Sequence, residues 1–494
     1  MSTLFSAGIS QANPVGEFED HGDIGTPKLA GSASYDPANQ EYAISGSGTN
    51  MWFTTDQFHF VWKKMNGDFI LRTRVKFIGK GVVEHRKAGW MVRPNLDPDA
   101  PYADCAEHGS GLTSLQFRRT KGAITEQIVL SVTNADVLQF ERRGGNFIFS
   151  AACYGEPFVS AELTNLDLGD DVLAGLFVCS HSGDVVEQAT FRDVRVICPA
   201  RPDFTPYHDY IGSVLEMLDV QSGQLEKIYD SAQPFEAPNW TTDGTALIYN
   251  VSGRAAGWGR LMRFDLATRQ PTLLDTGSAT NNNNDHVLSF DGMMLGVSGQ
   301  GGPDKQSRIF TLPSIGGAAK QITELAPSYL HGWSPDGKWL VFTGGRKGKY
   351  DIYKVPAEGG AEVRLTDAVG LNDGPEFSPD GQFIYFNSSR TGKMQLWRMK
   401  PDGTGQEQIT NDELNNWFPH ISPDGKWIVF VSFGNDVKPD DHPYYKHIYL
   451  QLMPVEGGSP KVIAYVYGGQ GTMNVPSWSP DSKRIAFVSN TQLP

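Results

Sequence analysis

The sequence predicts an all-β chain in two parts, a β-sandwich over residues 1–200 followed by a six-bladed β-propeller over residues 205–494. Three observations carry this. A Ser-Pro-Asp-Gly turn recurs between short apolar runs. The recurrence has a period of roughly 45 residues, the span of one four-stranded blade. Residues 1–200 lack the repeat but alternate apolar and polar residues between Gly, Asp and Asn turns.

The repeat units begin at Trp240 (WTTDGTALIY), Leu288 (LSFDGMMLGV), Trp333 (WSPDGKWLVF), Phe377 (FSPDGQFIYF), Ile421 (ISPDGKWIVF) and Trp478 (WSPDSKRIAF). In the SPDG units Pro presets φ and Gly takes the positive φ of a tight turn, so one strand ends and a second leaves; the units at Trp240 and Leu288 lack the Pro and the unit at Trp478 has Ser in place of Gly. KWLVF, QFIYF and KWIVF are β-branched and aromatic, while DIYKV, QLWRM and HIYLQLM alternate as third strands. EVRLT, EQIT and KVIA supply fourth strands. The last unit stops after two strands, so residues 214–230 (VLEMLDV and LEKIYD) are expected to pair with 474–489 and close the ring without an open edge. Upstream, SLQFRR, QIVLSV, NFIFSAA, VLAGLFV and ATFRDVRV have the spacing of a sandwich, and CPARPDFTPYHDYIG reads as the linker.

Length and composition agree. A chain of 494 residues exceeds one core. A net charge of −14 argues against nucleic acid as a partner, and the absence of a long apolar run excludes a membrane-spanning helix. Four cysteines without C-x-x-C spacing read as free thiols rather than a zinc site. No H-E-x-x-H, Walker loop, G-x-S-x-G elbow, EF-hand loop or dinucleotide fingerprint is present.

The SPDG turns followed by GG or DG turns resemble the TolB-like, or PD40, propeller family over residues 205–494. GDFILRTRV, AGWMVRPNLD, LAGLFVCSH and ATFRDVRV resemble DUF1349-type, concanavalin-like jelly-roll domains over residues 20–197. The first resemblance implies two classes of function: protein binding, as in TolB, or metal-dependent chemistry on carbohydrate, as in oligogalacturonate lyases, whose channel histidines hold a divalent metal. The second implies company with carbohydrate-processing proteins. MSTLFSAGISQANP has no basic start and too short an apolar run for a signal peptide, so the chain as it stands is expected in the cytoplasm, or in the periplasm had a leader been removed.

The site is sought by aligning the units on their turn serine or threonine. Three residues earlier stand Pro238, His286, His331, Pro375, Pro419 and Pro476, so two units replace proline with histidine. His420 falls one residue later, which places its side chain on the opposite strand face; it is counted among the candidate ligand-binding residues, with a structural role favoured more than for the other two histidines. The innermost strands begin at the channel mouth, where Glu236, Asn284, Asp285, Tyr329, Asp373, Trp417, His442, Gln470 and Asn474 and the hairpin arginines Arg254, Arg346 and Arg390 are expected to gather. His286 and His331 are the candidate catalytic pair. With Asp373, or with Asn284, they form a candidate set for a divalent metal, Trp417 and Tyr329 would stack on a sugar, and the arginines would bind carboxylate or hydroxyls. Each has a plainer alternative: a histidine bonding loop backbone, or an arginine capping hairpin carbonyls. Asp336, Asp380 and Asp424 are assigned to their turns. The expected ligand is an oligosaccharide or similar polar molecule, met by lyase or hydrolase chemistry; the competing expectation is a non-catalytic scaffold with a protein partner.

Overall fold

The computed structural model describes residues 13–205, 208–252, 259–301 and 304–493, and the chain divides into two compact units, Met1–Cys198 and Pro199–Pro494. No helix among these residues is long and apolar enough to cross a membrane.

The first unit is a β-sandwich of two seven-stranded antiparallel sheets. Strands Phe58–Asn66, Lys87–Arg93, Tyr102–His108, Leu112–Arg118 and Asp171–Cys179 belong to one sheet; Glu41–Gly48, Phe69–Ile78, Val137–Arg143, Asn146–Ala152 and Ser182–Ile197 belong to the other. Alternation explains the layering. Ala88, Trp90 and Val92 enter the inter-sheet core with Phe140, Phe149 and Phe191, whereas Lys87, Met91 and Arg93 leave on the other face.

The second unit is a six-bladed propeller: five four-stranded sheets and one three-stranded sheet. In the last, Gly212–Asp219 lies between Leu225–Ser231 and Arg484–Thr491, with Leu215 opposite Val488. The stretch before Arg484 adds only an isolated bridge between Trp478 and Ile485. Each turn aspartate accepts a hydrogen bond from the hydroxyl that opens its own turn: Thr241 to Asp243, Ser289 to Asp291, Ser334 to Asp336, Ser378 to Asp380, Ser422 to Asp424 and Ser479 to Asp481. These carboxylates hold the fold and are spent on it.

The innermost strands are bulged. From Asp373 to Glu376 three steps match two on the partner, Asn387 to Tyr385, so one residue is extra. The blades starting at Phe235, Ser328 and Asn415 likewise carry one extra residue. In Asn282–Leu288, four steps from Asn282 to His286 match two from Gly299 to Val297, so two are extra. A bulge re-aims the side chains around it, and this difference decides the site.

Candidate functional site

Where the innermost strands begin, the channel opens into a cavity of about 790 Å³ lined by Glu236, Asn284, Asp285, Tyr329, His331, Asp373, His442, Gln470 and Asn474. The structure therefore brings nine of the sequence-predicted residues together. Arg254 lies outside the described residues.

His286 is not among them. It pairs with Val297 in the ladder, the place that Leu330 takes opposite Phe342 in the next blade. His331, by contrast, is itself the bulged residue, unpaired in the ladder and extruded toward the cavity. Equal spacing from the turn thus gives unequal directions, because one blade has one more residue in its bulge. His286 is buried between blades with Nε2 against the Ile248 carbonyl at 3.1 Å, and burial pushes its imidazole down to about 4. It is an inter-blade strut. The expected set His286, His331 and Asp373 is consequently not assembled, and among the described residues no group of three or more His, Cys, Asp or Glu is arranged to hold a metal ion.

Four further expectations are corrected. Trp417 is fully buried behind the wall, edge-on to His442 with ring centroids 4.5 Å apart, and cannot stack on a ligand. His420 is buried beyond the cavity, with Nδ1 2.6 Å from the Glu376 carboxylate and Nε2 3.3 Å from the Met473 carbonyl. Arg346 forks onto Glu362 and donates to Ser328, and Arg390 donates to Gln406, Asn372 and Ser388. Neither arginine reaches the cavity lining.

The assembled groups form two linked clusters. In the first, Asp373 accepts from the Thr343 hydroxyl (2.6 Å) and the Gly374 amide (2.8 Å). Its carboxylate faces His331 Nε2 at 3.4 Å and His442 Nε2 at 3.9 Å. Burial alone raises the Asp373 carboxyl, but His331 outweighs it and the net shift is downward. Burial likewise disfavours the His331 cation, yet Asp373 and Asp285 outweigh that and hold it above the ordinary range. Asp285 accepts from Asn283 (2.6 Å) and Asn474 (3.1 Å), and burial pushes it up to about 6, with His331 opposing and Asp373 adding. In the second cluster Glu236, raised by burial, accepts from Ser252, Asn284 and Tyr444. Gly471 is required here: a Cβ would stand 2.1 Å from the Glu236 carboxylate.

Several lining residues were not singled out by sequence. Tyr210, Asn250, Tyr350, Phe418 and Tyr444 complete the wall. Phe418 stacks on His331 with centroids 6.0 Å apart, and it takes the place expected of Trp417 because its bulge turns it at φ 56°. One signal was available. Five residues before each turn hydroxyl stand Glu236, Asn284, Tyr329, Asp373, Trp417 and Asn474, a row in which all but Trp417 line the cavity. The side-chain oxygens of Asn250 and Asn474 are buried without a hydrogen-bond partner. Together with the split carboxylates, they make a cavity equipped to bond hydroxyl groups and to supply both a held and a free carboxyl proton site.

The family model for the TolB beta propeller domain, PD40, matches residues 304–442. An uncharacterized protein of Agrobacterium fabrum is 44% identical over 281 residues, covering 56% of this chain and 92% of that protein. A protein of Agrobacterium tumefaciens solved as a "putative TolB" is 43% identical, with a TM-score of 0.54, covering 58% of this chain and all of that one. An oligogalacturonate lyase solved with manganese is 16% identical at a TM-score of 0.38, over 56% of this chain and 82% of that one, a likeness of fold alone.

Proposed function

Because the chain belongs to the TolB-like β-propeller family, a fold whose activities reside in the side chains set on it, we propose that its channel mouth binds a neutral, hydroxyl-rich ligand of oligosaccharide type. Asp285 and Asp373 then serve as the acid and base of a glycoside hydrolysis. The observation that carries this reading is the pair itself: two buried carboxyl groups in one cavity whose surroundings push their protonation apart, Asp285 up to about 6 and Asp373 downward. Separated carboxyl pKa values are how one site provides a proton donor and an acceptor at once. His331 faces Asp373 and keeps that carboxylate ionised.

Ligand charge follows from the lining. Glu236, Asp285, Asp373 and Asp440 contribute four carboxyl groups against the single lysine Lys349, and among the described residues no arginine lines the cavity, which disfavours uronates and favours neutral sugars held by carboxylates, amides and tyrosines. No step is assigned to a metal, since the described residues do not compose a ligand set.

The test is calorimetric titration of the full chain with neutral oligosaccharides of glucose, xylose, mannose or galactose units and with oligogalacturonate, followed by a reducing-end assay. At least one neutral ligand is expected to bind at least tenfold more tightly than oligogalacturonate, with binding weakened by Asp373→Asn. Preference for oligogalacturonate, or silence toward every sugar, overturns the reading.

A second reading, a scaffold for a protein partner, is favoured by the other end of the channel. There Trp240, Phe290, Trp333, Phe377 and Trp478 line an apolar funnel of about 310 Å³, in which Phe290 is exposed.

A further inference from the structure

We propose that the N-terminal sandwich carries a ligand site of its own, for a small molecule bearing a carboxylate, sulfate or phosphate group, in the cavity between Lys87 and the imidazoles of His85 and His181. The cavity measures about 230 Å³ and lies on the sheet face turned away from the inter-sheet core. Its polar walls are Lys87, three histidines (His85, His108, His181) and three amides (Asn50, Gln116, Gln127), with Trp52 and Leu112 completing it. Among the described residues no carboxylate lines it. In a chain of net charge −14, an acid-free pocket built around a lysine is a local reversal of sign.

The lysine is placed by the ladder. Lys87 stands opposite His108 across neighbouring strands, and its side chain is 2% exposed. Its ammonium donates to Gln116 Oε1 at 3.1 Å and Asn50 Oδ1 at 3.4 Å, both neutral acceptors, and it joins no ion pair among the described residues. A buried ammonium without a counterion at contact distance is costly, and a ligand oxyanion would supply one. Burial pulls Lys87 down, with Cys179, Asp104 and Asp56 opposing, which is the direction expected of a cation whose partner is missing. The buried acids nearby are otherwise engaged or neutralised: Asp56 is forked by Arg118, and burial pushes Asp104 well above the carboxylate range, with Lys87 opposing.

The remaining walls are set for donation. His108 Nδ1 faces the Leu112 carbonyl at 2.8 Å, so Nδ1 carries the proton and Nε2 is left to accept from the Gln116 amide at 3.4 Å. That bond turns the Gln116 oxygen toward Lys87 and fixes it. His85 and His181, with ring centroids 5.5 Å apart, stand at the cavity with N–H groups available to an anion. Half-buried Trp52 offers a ring at the rim, on a segment pinned by the Thr125 amide.

The experiment titrates the full chain calorimetrically with sodium sulfate, sodium glucuronate and glucose at constant ionic strength. Saturable binding of sulfate or glucuronate is expected, without binding of glucose at this site. The tighter of the two identifies a free inorganic anion or a sugar acid as the source of the group. Lys87→Met should weaken the anion at least tenfold. Should that variant fail to fold, Gln127→Glu, at an exposed wall position, places a carboxylate in the pocket and should weaken the anion by a similar factor. Displacement of the bound anion by glucose, no binding of either anion, or anion binding indifferent to Gln127→Glu overturns the proposal.

Discussion

The two ends of the propeller channel are built from the same strands and differ in what the repeat holds constant. Where the innermost strands end, the SPDG turns recur and the lining is a ring of tryptophans, phenylalanines and prolines. Where they begin, five of the six blades supply a polar side chain to the lining at the same place in the repeat, and these vary: Glu236, Asn284, Tyr329, Asp373 and Asn474. The constant end closes the fold, and the varied end is where the proposed chemistry would lie. Between them the His420–Glu376 pair forms a polar floor beneath the funnel.

The largest expected effect lies at that floor. Glu376 accepts from His420 Nδ1 at 2.6 Å and from the Ile421 amide at 3.1 Å, all of it buried. Glu376→Ala leaves both without a partner and should cost about 3–5 kcal/mol of propeller stability, read from the denaturant midpoint, while leaving oligosaccharide affinity unchanged. A loss of affinity in a still-folded protein would join the two ends into one site.

Asp285 should give the opposite sign. Its folded-state pKa of about 6 lies above the ordinary 3.8. It therefore favours folding fully only below about pH 3.8, and that advantage is lost as pH rises through 6. At pH 7 the charged form costs about 3 kcal/mol by this shift. Asp285→Asn removes that cost but forfeits about 1 kcal/mol of hydrogen bonding from Asn283 or Asn474. A net gain of about 2 kcal/mol at pH 7, with hydrolysis abolished, is expected; a variant less stable at pH 7 would contradict the strained-acid assignment.

The His331–Asp373 contact should act more modestly, with two signs to check. His331 is raised, so its contribution is complete below its unfolded pKa and lost as pH rises through the folded one; Asp373 is depressed, so its contribution is present above its unfolded pKa and lost as pH falls through the folded one. Asp373→Asn keeps the Thr343 and Gly374 bonds to one oxygen and removes only the charge, so about 1–2 kcal/mol of stability is at stake. Imidazole NMR titration should show the His331 pKa falling in the variant. An unmoved His331 would break the link between them.

Much of the architecture was legible because blades repeat in sequence and strands alternate. The turn chemistry marks every blade, and the closure segment was visible as the strands the last unit lacks. The site was legible only as a row. Counting from the turn located the mouth, but the direction of each side chain depends on bulge length, which distinguishes His331 from His286 and Phe418 from Trp417. Bulge length is set by pairing with the neighbouring strand, not by spacing within one strand. The cavity of the N-terminal sandwich was missed for a similar reason: His85, Lys87, His108 and His181 come from different strands and loops, and only the sheet brings them together.

The smallest effect concerns the arginines, and it sharpens the division between holding and binding. Arg346 shares its fork with Glu362 at 3.0–3.1 Å, the two side chains 13% and 12% exposed, and it also donates to Ser328. Its donors face protein acceptors in the blade's own hairpin, so a sugar would have to displace them. Arg346→Ala should cost about 1 kcal/mol of stability, since both side chains reach water far enough to solvate the Glu362 left behind. Oligosaccharide affinity should stay within twofold. A tenfold loss of affinity with unchanged stability would mean that Arg346 leaves Glu362 to meet the ligand, and the mouth would then accept anionic sugars that its carboxylates otherwise turn away.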